Sequence, residues 1–412
     1  MPVLDQQSDD SFSQYQENRV IATLRSASWG SHYEHYWVQV RFYASWARPN
    51  FAKIAPIMRA FDQPGSLLSA RLVHTGQHYD ATMKHAFFDQ LHIPEPDVDL
   101  EVGDSGSHAQ QTAEIMKRFE PVLDSAPPLA VLVVGDVNST IACALVAVKK
   151  GIPVIHVEAG LRSGDRSMPE EINRILTDQL SELLFITEAS ARQNLQREGV
   201  ASEKVHFVGN VMIDTLLYNL KNAVPPGKTL AAASNHDSHI ALSDYGLVTL
   251  HRPSNVDDPV VLERLLKVLS RISERTPLVF PIHPRTSSRI TSVGLNDLLQ
   301  GSPIFTLPPQ GYLEMLGLMR GARVVLTDSG GIQEETTALG VPCITLRENT
   351  ERPITVSHGT NTVVGTNVDK IFSCYEDVMR SGGKSGRVPE LWDGKAAERL
   401  VQVINSWAAS RQ

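Results

Sequence analysis

The sequence predicts an α/β protein built from two doubly wound parallel sheets, with a functional cleft along the carboxyl ends of their strands. Three observations carry that prediction. Short continuous apolar runs recur along the chain, each ending in a polar or charged cluster. Most are separated by segments of helix length, and the pattern breaks once, near the middle. Runs that are continuously apolar mark strands buried on both faces, as in parallel sheets covered by helices. In such sheets ligands bind beyond the carboxyl ends of the strands.

In chain order the runs are "LAVLVVGD" (129–136), "IPVIHVEAG" (152–160), "LLFITE" (183–188), "VHFVGN" (205–210), "YGLVTLHR" (245–252), "PLVFPIHPR" (277–285), "RVVLTDSGG" (323–331) and "PCITLREN" (342–349). Between them lie helix-length stretches such as "STIACALVAVKKG" and "EINRILTDQLSE". The break follows "GNVMIDTLLYNL", where residues 221–244 lose periodicity. We therefore expect Rossmann-like domains at about 36–220 and 221–390, since 412 residues exceed one ordinary core. In the closing "AAERLVQVINSWAASRQ", Leu400, Ile404 and Trp407 share one helical stripe. That predicts a helix within 391–412 packing back on the first domain.

Composition excludes several classes. Hydrophobic residues make up 42% and charged residues 20%, as in globular proteins, and the net charge of −8 argues against nucleic acid as a partner. Three scattered cysteines (Cys143, Cys343, Cys374) fit a reducing compartment and supply no zinc site. No run reaches the roughly 18 apolar residues of a membrane span, and the acidic, polar start lacks the features of a signal peptide. The expectation is a cytoplasmic protein without a membrane partner.

No GxGxxG follows a strand, so a dinucleotide cofactor is unsupported. The "GKS" at Gly383–Ser385 is not a P-loop, because Val378 stands where the motif needs glycine. His74, His78, His85 and His92 lack metal-ligand spacing. "TDSGGIQEETTALG" (327–340) is more informative: a strand ends in Asp-Ser-Gly-Gly, a helix begins, and its free N–H groups suit phosphate oxygens. The plain alternative is a turn with Ser329 as N-cap. Glu334 and Glu335 could accept ribose hydroxyls, and His251, Arg252, Arg285 and Arg352 follow strand ends in the same half. The first half offers acids instead: Asp136, Glu158 and Glu170 follow strand ends or open a helix. Glu170, Arg174 and Asp178 fall on one helical face, which alone reads equally as a solvated, salt-bridged surface. Acids on one rim and a phosphate site on the other favour a cleft with divided acid and base roles.

From about Arg48 to its C-terminal helix the chain resembles the non-hydrolysing UDP-N-acetylglucosamine 2-epimerases. The resemblance rests on "ARPNFAKIAPI", "TGQHYD", "VGDVNST", "HVEAGLRSGD", "MPEEINR", "VGNVMIDTL", "TLHRPSN", "DSGGIQEE" and "TERPITV", in family order. It implies a GT-B-like fold with two Rossmann-like domains and the active site between them. It also implies interconversion of UDP-N-acetylglucosamine and UDP-N-acetylmannosamine with no metal and no cofactor. Expulsion of UDP from C1, with removal of the C2 proton, would give 2-acetamidoglucal. UDP would then re-add after protonation of the other face.

By the same resemblance, Asp136, Glu158, Glu170 and His251 are expected as the catalytic set, with base and acid unassigned. Arg48, Lys53, Arg174, Gln310, Met315, Ser329, Gly330, Gly331, Glu335 and Arg352 are expected to bind substrate. Gln77 and His78 would belong to a second, activating substrate site. A homodimer serving cell-envelope polysaccharide synthesis is further implied. Two features depart from the family: residues 1–35 have no counterpart and are expected to form a poorly ordered extension. In "YASWARPN", Trp46 replaces the glycine of a Gly-x-Arg-Pro turn, which predicts reduced turnover. The competing readings are a GT-B glycosyltransferase and a UDP-sugar binder silenced by Trp46.

Overall fold

Each apolar run becomes a strand of one of two wholly parallel sheets. The computed structural model describes residues 38–44, 48–63, 66, 68–76, 88–103, 106–233 and 244–411, with side chains from Asn50 onward. Trp46, Gln77, His78 and the expected extension 1–35 lie outside the described residues, as does the side chain of Arg48. The strands are β1 (Val38–Ala44), β2 (Leu68–His74), β3 (Val98–Asp99), β4 (Ala130–Val134), β5 (Val154–Val157), β6 (Leu183–Ile186) and β7 (Val205–Phe207) in the first sheet. β8 (Gly246–Thr249), β9 (Leu278–Pro281), β10 (Ile304–Leu307), β11 (Val324–Thr327), β12 (Cys343–Thr345) and β13 (Asn361–Val363) form the second.

The sheet orders are β3-β2-β1-β4-β5-β6-β7 and β10-β9-β8-β11-β12-β13. Both wind outward from a central pair, β1/β4 in one and β8/β11 in the other. The strand order reverses at each pair, and a crevice opens beyond those strand ends. β4, β5, β6, β9 and β11 are buried along their whole length, as their unbroken apolar sequences require. β2, β3, β10 and β13 escape the sequence pattern. Three are short edge strands with one neighbour, and Ser69 and Arg71 interrupt β2. β1 is the poorest apolar run, yet it is central, in register with Leu68 of β2 at Val38 and Ala130 of β4 at Val40.

The chain from Trp37 onward is one compact unit. A single apolar core joins Phe51, Ile54 and Leu216 to Leu316 and Val325, and to Leu400 and Ile404 of the final helix, Ala396–Ala409. Asp214 caps that helix, accepting the N–H groups of Ala396 (3.1 Å) and Ala397 (2.7 Å). Trp392 donates its indole N–H to the carbonyl of Thr187 at 3.1 Å. Among the described residues no helix is long and apolar enough to cross a membrane.

Where the chain passes between the sheets it lies against the helix Tyr312–Gly321, with the Val224 N–H donating to the Leu313 carbonyl at 3.0 Å. The approach is close because Gly317 has no side chain; a Cβ there would sit 1.8 Å from the Val224 carbonyl oxygen. Gly317→Ala should therefore destabilise the protein by about 1–3 kcal/mol, the usual cost of overpacking. Urea denaturation of both proteins checks this: an unchanged curve would mean that the crossing segment yields freely.

Candidate active site

The ends of β1, β4, β8, β9 and β11 converge on a cavity of about 480 Å³. The sequence-predicted residues Lys53, Asp136, Glu170, Arg174, His251, Met315, Ser329, Gly330, Gly331, Glu335 and Arg352 line it together. Among the described residues, two of those the resemblance assigned to catalysis or substrate binding are not in its wall. Gln310 turns its side-chain N–H to the Pro308 carbonyl at 2.7 Å, although its neighbours Pro309 and Gly311 line the cavity. Glu158 lies behind Lys53 and Arg352, buried, with an ion pair to each.

Glu158 terminates β5 with its backbone in the left-handed region, at φ 74°, uncommon for a residue with a side chain. Its N–H donates to the Phe185 carbonyl at 3.0 Å. Burial opposes its charge, but Arg352 and Lys53 outweigh that effect and hold the carboxyl below its ordinary range. Burial also opposes the charge of Arg352, but Glu158, Glu334 and Glu351 outweigh it and keep the guanidinium firmly protonated. Arg352 also reaches Glu334 at 3.0 Å, and Asn210 donates to the same Glu334 oxygen at 2.8 Å. Glu334 therefore faces the packed interface and not the ribose pocket expected from its helical position. Glu351 is held well below its ordinary range, because Arg347 at 2.9 Å, Arg352 and Arg252 outweigh its burial.

The acid-bearing rim is braced from within. The helix Pro169–Leu180 presents Glu170 at its first turn and Arg174 one turn later, where Arg174 meets Asp136 at 3.4 Å and Glu171 at 3.5 Å. Asn173 donates to the Asp136 carbonyl at 2.9 Å. Asp178, on the same helix, is buried and serves His156 (2.6 Å) and Arg162 (2.7 Å), so this face is not a solvated one. His156 reaches on to the Gly135 carbonyl at 2.9 Å, tying the end of β4 to the helix.

Opposite stands the helix Gly330–Leu339. Its N-cap residue Ser329 makes no capping hydrogen bond with its side chain. The plain reading of "DSGG" as a self-capped turn therefore fails, and the helix start remains available to an anion. Gly330 is needed for packing, since a Cβ would lie 2.5 Å from a Glu351 oxygen. Arg285, counted from sequence among the phosphate cations, instead pairs with Asp257 away from the cavity wall. Sequence reading missed Asp328 and Glu351. Asp328 follows a wholly buried strand, and a carboxylate there must have partners, which is the signal that could have found it.

Glu335 lines the cavity and accepts the Tyr312 hydroxyl at 2.9 Å. Burial, reinforced by Glu334, pushes its carboxyl from 4.5 up to about 7. A group raised on folding stabilises fully below its unfolded pKa and loses that contribution as pH climbs through the folded one. Relative to Glu335→Gln, the unliganded protein should lose on the order of 3 kcal/mol between pH 4.5 and 7.5. Parallel denaturation profiles for the two proteins would show Glu335 to be ordinary.

Comparison with known proteins gives a consistent set of relatives. The sequence profile of the family described as UDP-N-acetylglucosamine 2-epimerase matches residues 63–405. The UDP-N-acetylglucosamine 2-epimerase of Methanocaldococcus jannaschii is 42% identical over 360 residues, covering 87% of this chain and 96% of the relative. The UDP-2,3-diacetamido-2,3-dideoxy-D-glucuronate 2-epimerase of Pseudomonas aeruginosa is also 42% identical, covering 87% and 97%. A crystal structure of the M. jannaschii protein with UDP-GlcNAc and UDP superposes with a TM-score of 0.81 at 40% identity, covering 89% of this chain and 99% of that one.

Proposed function

The chain belongs to the UDP-N-acetylglucosamine 2-epimerase family, and from that premise we infer that it inverts C2 of UDP-N-acetylglucosamine to give UDP-N-acetylmannosamine. The observation that carries the reading is the cavity's division. Two carboxylates, Asp136 and Glu170, line one side, and an uncapped helix start with Ser329 lies on the other. In the GT-B-like pair of doubly wound sheets, Asp136 and Ser329 follow the ends of β4 and β11, and Glu170 opens the helix Pro169–Leu180.

The chemistry needs this division. The C2 hydrogen of the sugar has no adjacent carbonyl, so its removal alone is too slow. Removal becomes feasible when the C–H electrons form a C1=C2 bond and the C1–O electrons depart with UDP. One carboxylate takes the C2 proton, and 2-acetamidoglucal and UDP remain in the cleft. Protonation of the opposite face, with return of UDP to C1, inverts the centre, so a second group must supply the proton. UDP is retained by the Gly330–Leu339 helix start, with Glu335 toward its ribose. Water is excluded by the enclosing halves. Glu158, expected from the resemblance among the catalytic residues, pairs with Lys53 and Arg352 beside the wall and holds both in place. The cycle is redox-neutral and calls for no hydride carrier.

Incubation with UDP-N-acetylglucosamine in D2O should place deuterium at C2 without any acceptor sugar, whereas a glycosyltransferase leaves C2 unlabelled. Glu170→Gln should slow this exchange by roughly 10²–10⁴ while UDP affinity stays within about threefold. Near-normal exchange in that variant would remove Glu170 from the reaction.

We further propose a cytoplasmic homodimer. Ile172 (43% exposed) and Leu176 (47%) stand one turn apart on the helix Pro169–Leu180, and the contacting helix Asn138–Lys149 exposes Val148 (37%). An apolar strip on adjacent helices suits a self-complementary, two-fold contact. Light scattering should find a dimer for the native chain and a monomer for Leu176→Arg; a dimeric variant would move the contact elsewhere.

A further inference from the structure

Asp328 ends β11 at the reversal of the second sheet, buried and fully occupied by donors. One oxygen, Oδ2, accepts the backbone N–H groups of His251 (3.0 Å) and Arg252 (2.9 Å) and the side-chain N–H of Asn255 (3.3 Å). The other, Oδ1, lies 2.9 Å from Nδ1 of the His251 ring and shares the His251 backbone N–H with Oδ2, at 3.2 Å. Burial opposes ionisation of Asp328, but the His251 ring and the two amides outweigh it, so the group is a carboxylate and has no hydrogen to give. The hydrogen between Oδ1 and Nδ1 must therefore sit on Nδ1. His251 itself lines the cavity, with 39% of its side chain exposed.

We infer that Asp328 is a positioning residue for the epimerase reaction. It fixes His251 as the Nδ1–H tautomer, so that the neutral ring turns a bare Nε2 toward the substrate. In water neutral imidazole prefers the opposite tautomer, with its hydrogen on Nε2. A free histidine would thus present mainly a donor, whereas the Asp328-bound ring presents an acceptor that can take and return a proton. This role rests on the epimerase reading and on His251 acting within it. It differs from that of a loop anchor, because the three donors on Oδ2 already tether the 251–255 segment.

The substitution Asp328→Asn separates the two roles. An asparagine can keep its oxygen in the place of Oδ2 for the backbone amides. Its NH2 then faces Nδ1, which must become the acceptor, and the ring hydrogen moves to Nε2. A wrong tautomer with the geometry kept can cost as much as about 10⁴ in rate in a histidine-dependent enzyme. C2 exchange should fall roughly 10²–10⁴-fold, while UDP affinity by calorimetry changes less than about threefold. Because the effect passes through His251, Asp328→Asn combined with His251→Gln should be no slower than His251→Gln alone, within about threefold.

The direct readout is the ring 15N spectrum of histidine-labelled protein, with the His251 signals identified by their loss in His251→Gln. On the basic side of the titration the native ring should show hydrogen on Nδ1 and a bare Nε2, reversed in Asp328→Asn. Multiplying losses in the double variant, a parallel loss of UDP affinity, or a bare Nδ1 in the native protein would each overturn the inference. If Asp328→Asn does not fold, the native spectrum decides alone. A native protein that exchanges no deuterium at C2 would defeat the epimerase reading and leave the tautomer result to be judged separately.

Discussion

Glu158 carries a charge at a point almost closed to water, and two ion-paired cations make that tolerable: Lys53 from the first half and Arg352 from the second. A buried carboxylate without partners would cost several kcal/mol, and removing one member of such a pair typically costs about 3–5 kcal/mol. Glu334 and Asn210 extend the cluster across the same boundary. The two sheets are thus joined at their active edge by groups that must find one another. A left-handed backbone at Glu158 is the local strain this arrangement tolerates.

Everything in the cavity wall is arranged around that fixed point. Lys53 and Arg352 face Glu158 and also line the cavity, so neither is free to swing away into solvent. Arg352 draws Glu351 with it, and Glu351 in turn binds Arg347 and lies against Gly330, at the helix start that suits a diphosphate. On the acid side, Arg174 and Asn173 hold Asp136, while Asp178 and His156 tie β4 to the helix bearing Glu170. The two rims are therefore rigid separately and linked by one buried cluster. That suits the proposed elimination and re-addition, in which an alkene and a free nucleotide must keep their relative positions between two steps.

Much of the architecture was legible in the amino-acid order. Parallel strands covered on both faces must be continuously apolar, so β4, β5, β6, β7, β8, β9, β11 and β12 announce themselves, and with them the strand ends where Asp136, Glu158, His251 and Ser329 stand. β2, β3, β10 and β13 did not. An edge strand has one neighbour, and a short strand with polar positions carries too few apolar residues to be seen. The "DSGG" turn showed that backbone would approach something there. Whether Ser329 would cap its own helix was open in sequence and was decided by side-chain direction alone.

The sequence by itself determined the fold class, the family and which segments would meet, because burial periodicity and motif order are one-dimensional properties. It placed acids and cations at strand ends but could not divide them into those facing ligand and those facing one another. Only the tertiary structure decided that Glu158 and Glu334 turn into a buried cross-link, that Arg285 spends its charge on Asp257, and that Asp328 reaches back to the His251 ring across β8 and β11. The reason is physical: a charged side chain takes the partner that desolvation leaves it, and that partner is chosen by packing between segments that lie as far as 194 residues apart, not by adjacent residues in the chain.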